Sequence, residues 1–225
     1  MELVKEELSP KAKAISELTH NFGGITKEQA RVLCMKLNQD GTQANNDPKQ
    51  FDRTMKKLLN LWIVKLSEDE RLVLPRKGPY EADIATIDCL WVAINKAMYI
   101  DRYGRGTIDT MSLSDSCWRQ DGVIKVTYVR DGVCYHIIYV SKENVKGNLE
   151  YLKSMTRMSK KEDFENVQYI FVTRDGEEAL YRIWKDEGIQ FPYKCVYIEG
   201  DVYGRPSVQY IKKWGEISPK KAPAE

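Results

Sequence analysis

Lys49, Gln50, Arg53, Lys56 and Lys57 are the residues of this chain whose types and spacing best suit chemistry on a partner; they fall within the stretch DPKQFDRTMKKLLNLW, residues 47–62. Lys49, Arg53, Lys56 and Asn60 recur at i, i+4, i+7 and i+11, which is one face of a helix, with Gln50 and Lys57 flanking it. Arginine, lysine and glutamine on one helical face can hydrogen-bond base edges in the major groove of double-stranded DNA and neutralise its phosphates. Lys49, Gln50 and Arg53, nearest the helix N-terminus, are the candidates for base edges, and Lys56 and Lys57 for phosphates. Arg71, Arg76 and Lys77 downstream, with Thr26 and Lys27 at the start of an earlier helix, are candidates for the flanking backbone. A charged stripe is more often a solvated face than a binding face. The elements that position the stripe therefore decide between the two.

Phe51, Met55, Leu58 and Trp62 recur on the opposite side of the same helix and predict its core face. Asp47 is the expected N-cap and Pro48 suits the first helical position, where a missing N–H costs nothing. A hairpin is expected next, with strands at 63–66 and 71–74 and a polar turn between them. Upstream, Ile15, Leu18 and Phe22 are helically spaced, and Gly23-Gly24 ends that helix. Thr26 and Gln29 form a capping box ahead of a second helix with the stripe Ala30, Leu33, Cys34 and Leu37. Helix, helix, helix and hairpin within about 65 residues is the order of a winged helix-turn-helix. One feature departs from the pattern. The polar loop at 38–46, NQDGTQANN, exceeds the usual turn of about 3–4 residues, and it suits either a phosphate-contacting loop or a module splayed into a protein-interaction platform.

With 225 residues, 42% hydrophobic and 30% charged, the chain can bury one large or two small cores. The net charge of +2 places any nucleic-acid contact on a local patch, since bulk charge is too small to hold DNA. Five scattered cysteines without a C-x-x-C, and only two histidines, argue against structural zinc and suit a reducing compartment. The N-terminus is charged rather than apolar and no window has the run of about 18 apolar residues a span needs, so a cytoplasmic protein with no membrane contact is expected.

Residues 75–79, PRKGP, read as a linker that divides a first domain (1–78) from a second (79–206), with a tail at 207–225. Ile84, Ile87, Cys89, Leu90, Trp91, Ile94, Ala97 and Met98 predict a largely buried helix, and a strand is expected at 107–113. Runs at 123–129 and 133–140, joined by Arg130-Asp131-Gly132, predict a hairpin. Helices at 142–158 and 177–187 and strands at 167–173 and 194–199 complete an α/β domain with a mixed sheet, giving an α+β chain overall. No phosphate-cradling G-x-x-x-x-G-K-[ST] and no G-x-G-x-x-G is present, so no cofactor is expected. Cys134 and His136 share a strand face and can meet, without an assignable third orienting group.

Ile25-Thr26-x-x-Gln29-Ala30, followed by Arg53-x-Met55-Lys56-x-Leu58 and Trp62-Ile63-Val64, resembles the winged helix of the replication-relaxation family of plasmid and conjugative-element proteins. The element order of the second domain is similar to a restriction-endonuclease-like core, and the resemblance spans about residues 15–199. It implies a metal site built from an Asp at the start of the central hairpin and an acidic-x-Lys triplet on its second strand. Asp121 matches the first position. The second strand, Cys134-Tyr135-His136-Ile137-Ile138-Tyr139-Val140-Ser141, supplies neither the acid nor the lysine. The expected protein is thus a non-catalytic, sequence-specific DNA-binding accessory of a mobile element, with no metal or cofactor. A protein partner for the α/β domain and a homodimer stay open. Its rivals are a metal-dependent nuclease with migrated acidic ligands and a protein-interaction adaptor.

Overall fold

The computed structural model describes residues 8–35, 49–78, 82–100, 104–158, 166–186, 189 and 191–212. The expected cap at Asp47 and Pro48, Leu37 and the 38–46 loop lie outside these residues. Ser9 caps α1 (Pro10–Phe22) by accepting the Ala12 N–H at 3.3 Å, and Gly23 closes it at φ 72° in the left-handed region. Strand β1 (Ile25–Thr26) leads into α2 (Lys27–Cys34). The capping box forms as the spacing predicts: Thr26 Oγ1 accepts the Gln29 N–H and Gln29 Oε1 accepts the Thr26 N–H, each at 2.9 Å. Helix α3 (Lys49–Asn60) buries Phe51, Met55 and Leu58. The hairpin of β2 (Val64–Leu66) and β3 (Leu72–Pro75) adds to β1 in an antiparallel sheet ordered β1-β3-β2.

One core expectation fails at the end of α3. The helix stops at Asn60, and Trp62 takes a left-handed backbone (φ 56°) with 67% of its surface exposed. The Trp62 N–H to Leu59 O and Ile63 N–H to Leu58 O bonds, 3.0 and 3.1 Å, close the helix C-terminus. This turn swings the indole off the Phe51, Met55 and Leu58 stripe.

In the second half, Asp83 caps α4 (Ile84–Lys96), whose C-cap is Ala97. Met98 leaves the helix and begins β4 (Met98–Ile100), paired antiparallel with β5 (Gly106–Ile108). The strand expected at 107–113 ends early, because Asp109 Oδ1 accepts the Ser112 N–H at 3.0 Å and starts α5 (Thr110–Ser116). There follow β6 (Cys117–Arg119), β7 (Ile124–Arg130), β8 (Val133–Tyr139), α6 (Val145–Met158), β9 (Val167–Thr173), α7 (Glu177–Trp184), β10 (Tyr193–Glu199) and β11 (Ser207–Ile211). The β7–β8 hairpin turns through Asp131 (φ 52°) and Gly132 (φ 77°), both left-handed, as the Asp-Gly pair predicts.

The six-stranded sheet runs β11-β10-β9-β8-β7-β6 in space and is mixed: β8, β9 and β10 are parallel, and the outer pairings are antiparallel. The chain therefore has the expected α+β class. Residues 207–211, placed in the tail from sequence, supply the edge strand. Alternation sorts the sheet's two faces. Ile137, Ile170 and Val196 face α4, while Ile138, Phe171 and Cys195 face α6 and α7. The core on the α4 side is continuous with Ile15, Phe22, Leu33 and Leu58 of the first 78 residues. Gln29, fully buried, crosses between the two regions by donating Nε2–H to the Ile87 carbonyl at 2.9 Å.

Candidate nucleic-acid interface

Helix α3 presents the surface its sequence predicts. Phe51, Met55 and Leu58 are buried, whereas Lys49, Gln50, Asp52, Arg53, Lys56 and Lys57 are exposed. Gln50 Oε1 accepts from Lys11 Nζ at 3.2 Å, and the same ammonium donates to the Cys34 carbonyl at 2.7 Å. Lys11 thereby brings a cation from α1 to the end of α3 from which base contacts were expected. No periodicity on α3 points to it; its place follows only from how α1 and α3 pack.

At the other end of α3, the Arg76 guanidinium lies over the Trp62 ring, 4.1 Å from its centroid. The exposed indole and its cation extend the basic face onto the hairpin. Sequence reasoning assigned Trp62 to the core because it continues the Phe51, Met55 and Leu58 spacing; the β-rich run beginning at Ile63 was the signal that the helix had to end before it. Lys77 is exposed beyond β3.

Three other predicted contacts are engaged within the protein. Thr26 is fully buried and its hydroxyl serves the capping box, so it has no surface to offer a phosphate. Its capping geometry was legible, and that same geometry removes it from the interface. Lys27 pairs with Glu70 in the hairpin turn at 3.2 Å. Arg71 lies 3.8 Å from Asp69 and stacks its guanidinium 5.5 Å from the Tyr203 ring centre, which ties the hairpin to the loop after β10. The Lys27 and Arg71 ion pairs are solvent-exposed, and such pairs are worth about 0–1 kcal/mol, little enough for a phosphate to displace.

The catalytic alternatives have definite geometry. Asp121 exposes 97% of its side chain and lies 3.8 Å from Arg119. Among the described residues, no group of three or more His, Cys, Asp or Glu side chains is placed to hold a metal ion. Cys134 Sγ and His136 Nε2 do meet, at 3.8 Å, and the third group is Thr127, whose Oγ1 lies 3.1 Å from His136 Nδ1. Burial pushes the Cys134 thiol up and the His136 imidazole down. Both shifts favour the neutral forms, whereas a cysteine nucleophile needs the thiolate. A threonine hydroxyl also carries no charge to stabilise an imidazolium. Among the described residues, no helix is long and apolar enough to cross a membrane. No protein-family model matches this chain, and no curated protein matches it.

Proposed function

We propose that residues 8–78 are a winged helix-turn-helix that binds double-stranded DNA, with α3 in the major groove and the β2–β3 hairpin against the backbone. The carrying observation is the division of α3 into a buried apolar stripe and an exposed face of Lys49, Gln50, Arg53, Lys56 and Lys57, continued by the stacked Trp62 and Arg76. The α/β half is a non-catalytic scaffold in this reading, supported by a β8 strand that carries no carboxylate and by an Asp121 turned fully to solvent. The protein's setting is the cytoplasm, a reading that rests on the charged N-terminus and the lack of a long apolar run, and its role is replication, transfer or regulation of a mobile element; that role rests on the resemblance at Ile25 to Ala30 and Arg53 to Val64. The exposed Leu61 and Trp62 favour a second reading, a module that docks a protein through the same face.

Selection of bound fragments from the source DNA, then gel-shift at about 50 and 200 mM salt, separates the two. DNA binding requires an enriched fragment whose affinity falls steeply with salt and is lost in an Arg53→Glu, Lys57→Glu double variant. Absence of any enriched fragment, or equal binding by the double variant, sinks the DNA reading. Supercoiled, linear and single-stranded DNA incubated with magnesium or manganese should stay intact. Nicking abolished by Asp121→Ala would promote the nuclease reading.

A further inference from the structure

Cys134, His136 and Thr127 form a linked set that DNA binding by α3 leaves unused. Cys134 and His136 stand two residues apart on β8, and alternation turns both to the sheet face that packs on α6 and α7. Each is half-buried, whereas the other four cysteines of the chain are buried. Cys134 Sγ and His136 Nε2 are 3.8 Å apart. On the far side of the ring, Nδ1 lies 3.1 Å from Thr127 Oγ1, which accepts the Gln120 Nε2–H at 2.7 Å. A hydroxyl oxygen has two lone pairs, so Thr127 can accept the Nδ1–H as well. The imidazole also rests against Tyr169, with ring centres 5.5 Å apart. Its orientation is thus held from β7 and from β9. In the tautomer that donates to Thr127, the Nε2 lone pair faces the sulfur.

A thiol and a neutral imidazole arranged this way are donors for a soft metal ion, and Thr127 is the kind of outer partner that orients a ligating histidine. Bonds of about 2.3 Å to sulfur and 2.0 Å to nitrogen, spanning atoms 3.8 Å apart, meet at an angle of about 125° at the ion. That angle is close to trigonal and wider than the tetrahedral geometry zinc takes in structural sites. Burial favours the uncharged form of both groups. Such surroundings resist net charge. One thiolate neutralises a monovalent ion, whereas a divalent ion would keep a positive charge.

We propose that Cys134 and His136 bind a cuprous ion, with Cys134 Sγ as the thiolate ligand and His136 Nε2 as the imidazole ligand. On binding, a copper–sulfur bond replaces the S–H bond and the thiol proton passes to solvent. Copper stays in the +1 state and no electron moves. A third donor, from solution or from the chain, completes the trigonal set. Thr127 is a positioning residue that holds the ring and does not touch the ion. The site does not depend on DNA binding by α3.

The test titrates the reduced full chain, without oxygen, with Cu(I) held in its coloured bicinchoninate complex. It reads copper leaving the chelator and near-ultraviolet absorption from the new copper–thiolate bond. One equivalent should transfer to the parent. Cys134→Ser should abolish both signals, and His136→Gln should weaken binding by about tenfold or more. Thr127→Val, similar in shape, should weaken binding by about tenfold, and Thr127→Ser should restore it. His20→Gln, exposed on α1, should bind as the parent does. Melts without copper check that each variant folds, and His136→Gln decides alone if Cys134→Ser does not. Zn(II) in tenfold excess should leave the copper in place. Transfer of less than one equivalent to the parent, full transfer to Cys134→Ser, unchanged affinity in His136→Gln, or displacement by Zn(II) overturns the proposal.

Discussion

Arg53 and Lys57 lie one helical turn apart on the exposed side of α3, yet their side chains should act differently on DNA. A guanidinium offers a planar fork that matches two acceptors on guanine, whereas an ammonium is a point charge that suits a phosphate. Arg53→Ala should cost about 1–3 kcal/mol on the preferred site and little on unrelated DNA. Lys57→Ala should weaken binding to all sequences alike and flatten the salt dependence by about one unit of slope. Competition gel-shifts with specific and random duplexes measure both. Trp62 carries a further expectation. A left-handed backbone costs a non-glycine residue about 1–2 kcal/mol, and an exposed cation–π contact returns about 0.5–1. Trp62→Gly should therefore leave stability within about 1 kcal/mol of the parent while it weakens DNA binding; a melt and a gel-shift on one preparation separate the effects. At this scale the sequence was legible wherever one helix decided the outcome, as for Arg53 and Lys56. Lys11 and Trp62 were not, because their placement depends on the packing of α1 and on how a helix terminates.

Elements that announce their own ends were legible, and elements made by distant pairing were not. The glycine stop of α1, the capping box of α2 and the Asp-Gly turn between β7 and β8 each rest on a few neighbouring residues. Strand β4 exists because Met98–Ile100 pairs with Gly106–Ile108, and β11 because Ser207–Ile211 pairs with β10. Helical periodicity cannot foresee either pairing. A register shift between Ile124 and Val126 places two residues of nominally one face in different cores, which alternation alone also misses. Gln29 shows how much one element can depend on a single side chain. Its side-chain carbonyl accepts the Thr26 N–H, its own N–H donates to the Thr26 hydroxyl, and its side-chain amide donates to the Ile87 carbonyl on α4. Gln29→Ala removes both side-chain bonds from a fully buried position and leaves their partners unsatisfied, at about 1–3 kcal/mol. Thr26→Ala removes only the cap and should cost about 0.5–2 kcal/mol. Urea denaturation should rank the glutamine variant lower; a reversed order would mean that the bridge to α4 contributes nothing.

The whole molecule is tied together by a buried ion pair that no local pattern revealed. Asp88 is fully buried within the apolar helix α4, and Arg174, just after β9, reaches it with Nε and Nη2 at 2.6 and 2.7 Å. The remaining guanidinium nitrogen donates to the Gly200 carbonyl after β10 at 2.6 Å. One arginine thus joins the helix over one sheet face to the ends of two parallel strands. Burial pushes the Asp88 carboxyl up, and the Arg174 hydrogen bonds and charge oppose this without cancelling it. Nearby, burial followed by the charges of Asp88 and Asp175 pushes the Tyr139 phenol up to about 12. A carboxyl raised in the folded state holds its proton more firmly there than in the unfolded chain. Its contribution to stability is therefore most favourable at low pH and is lost as pH rises from the unfolded value of 3.8 through the raised folded value. Arg174→Met removes the opposing guanidinium and raises the carboxyl further. At about pH 7 the variant must bury an unpaired carboxylate or carry the cost of protonating it, a loss of about 3–5 kcal/mol. At about pH 4 a protonated Asp88 lifts most of that penalty, so the gap between variant and parent should narrow on acidification. Adding Asp88→Leu to Arg174→Met removes the orphaned charge and should recover stability at neutral pH. Urea melts at the two pH values decide the matter, because a gap that stays constant with pH would assign Arg174 to packing alone, and recovery in the double variant would assign it to charge.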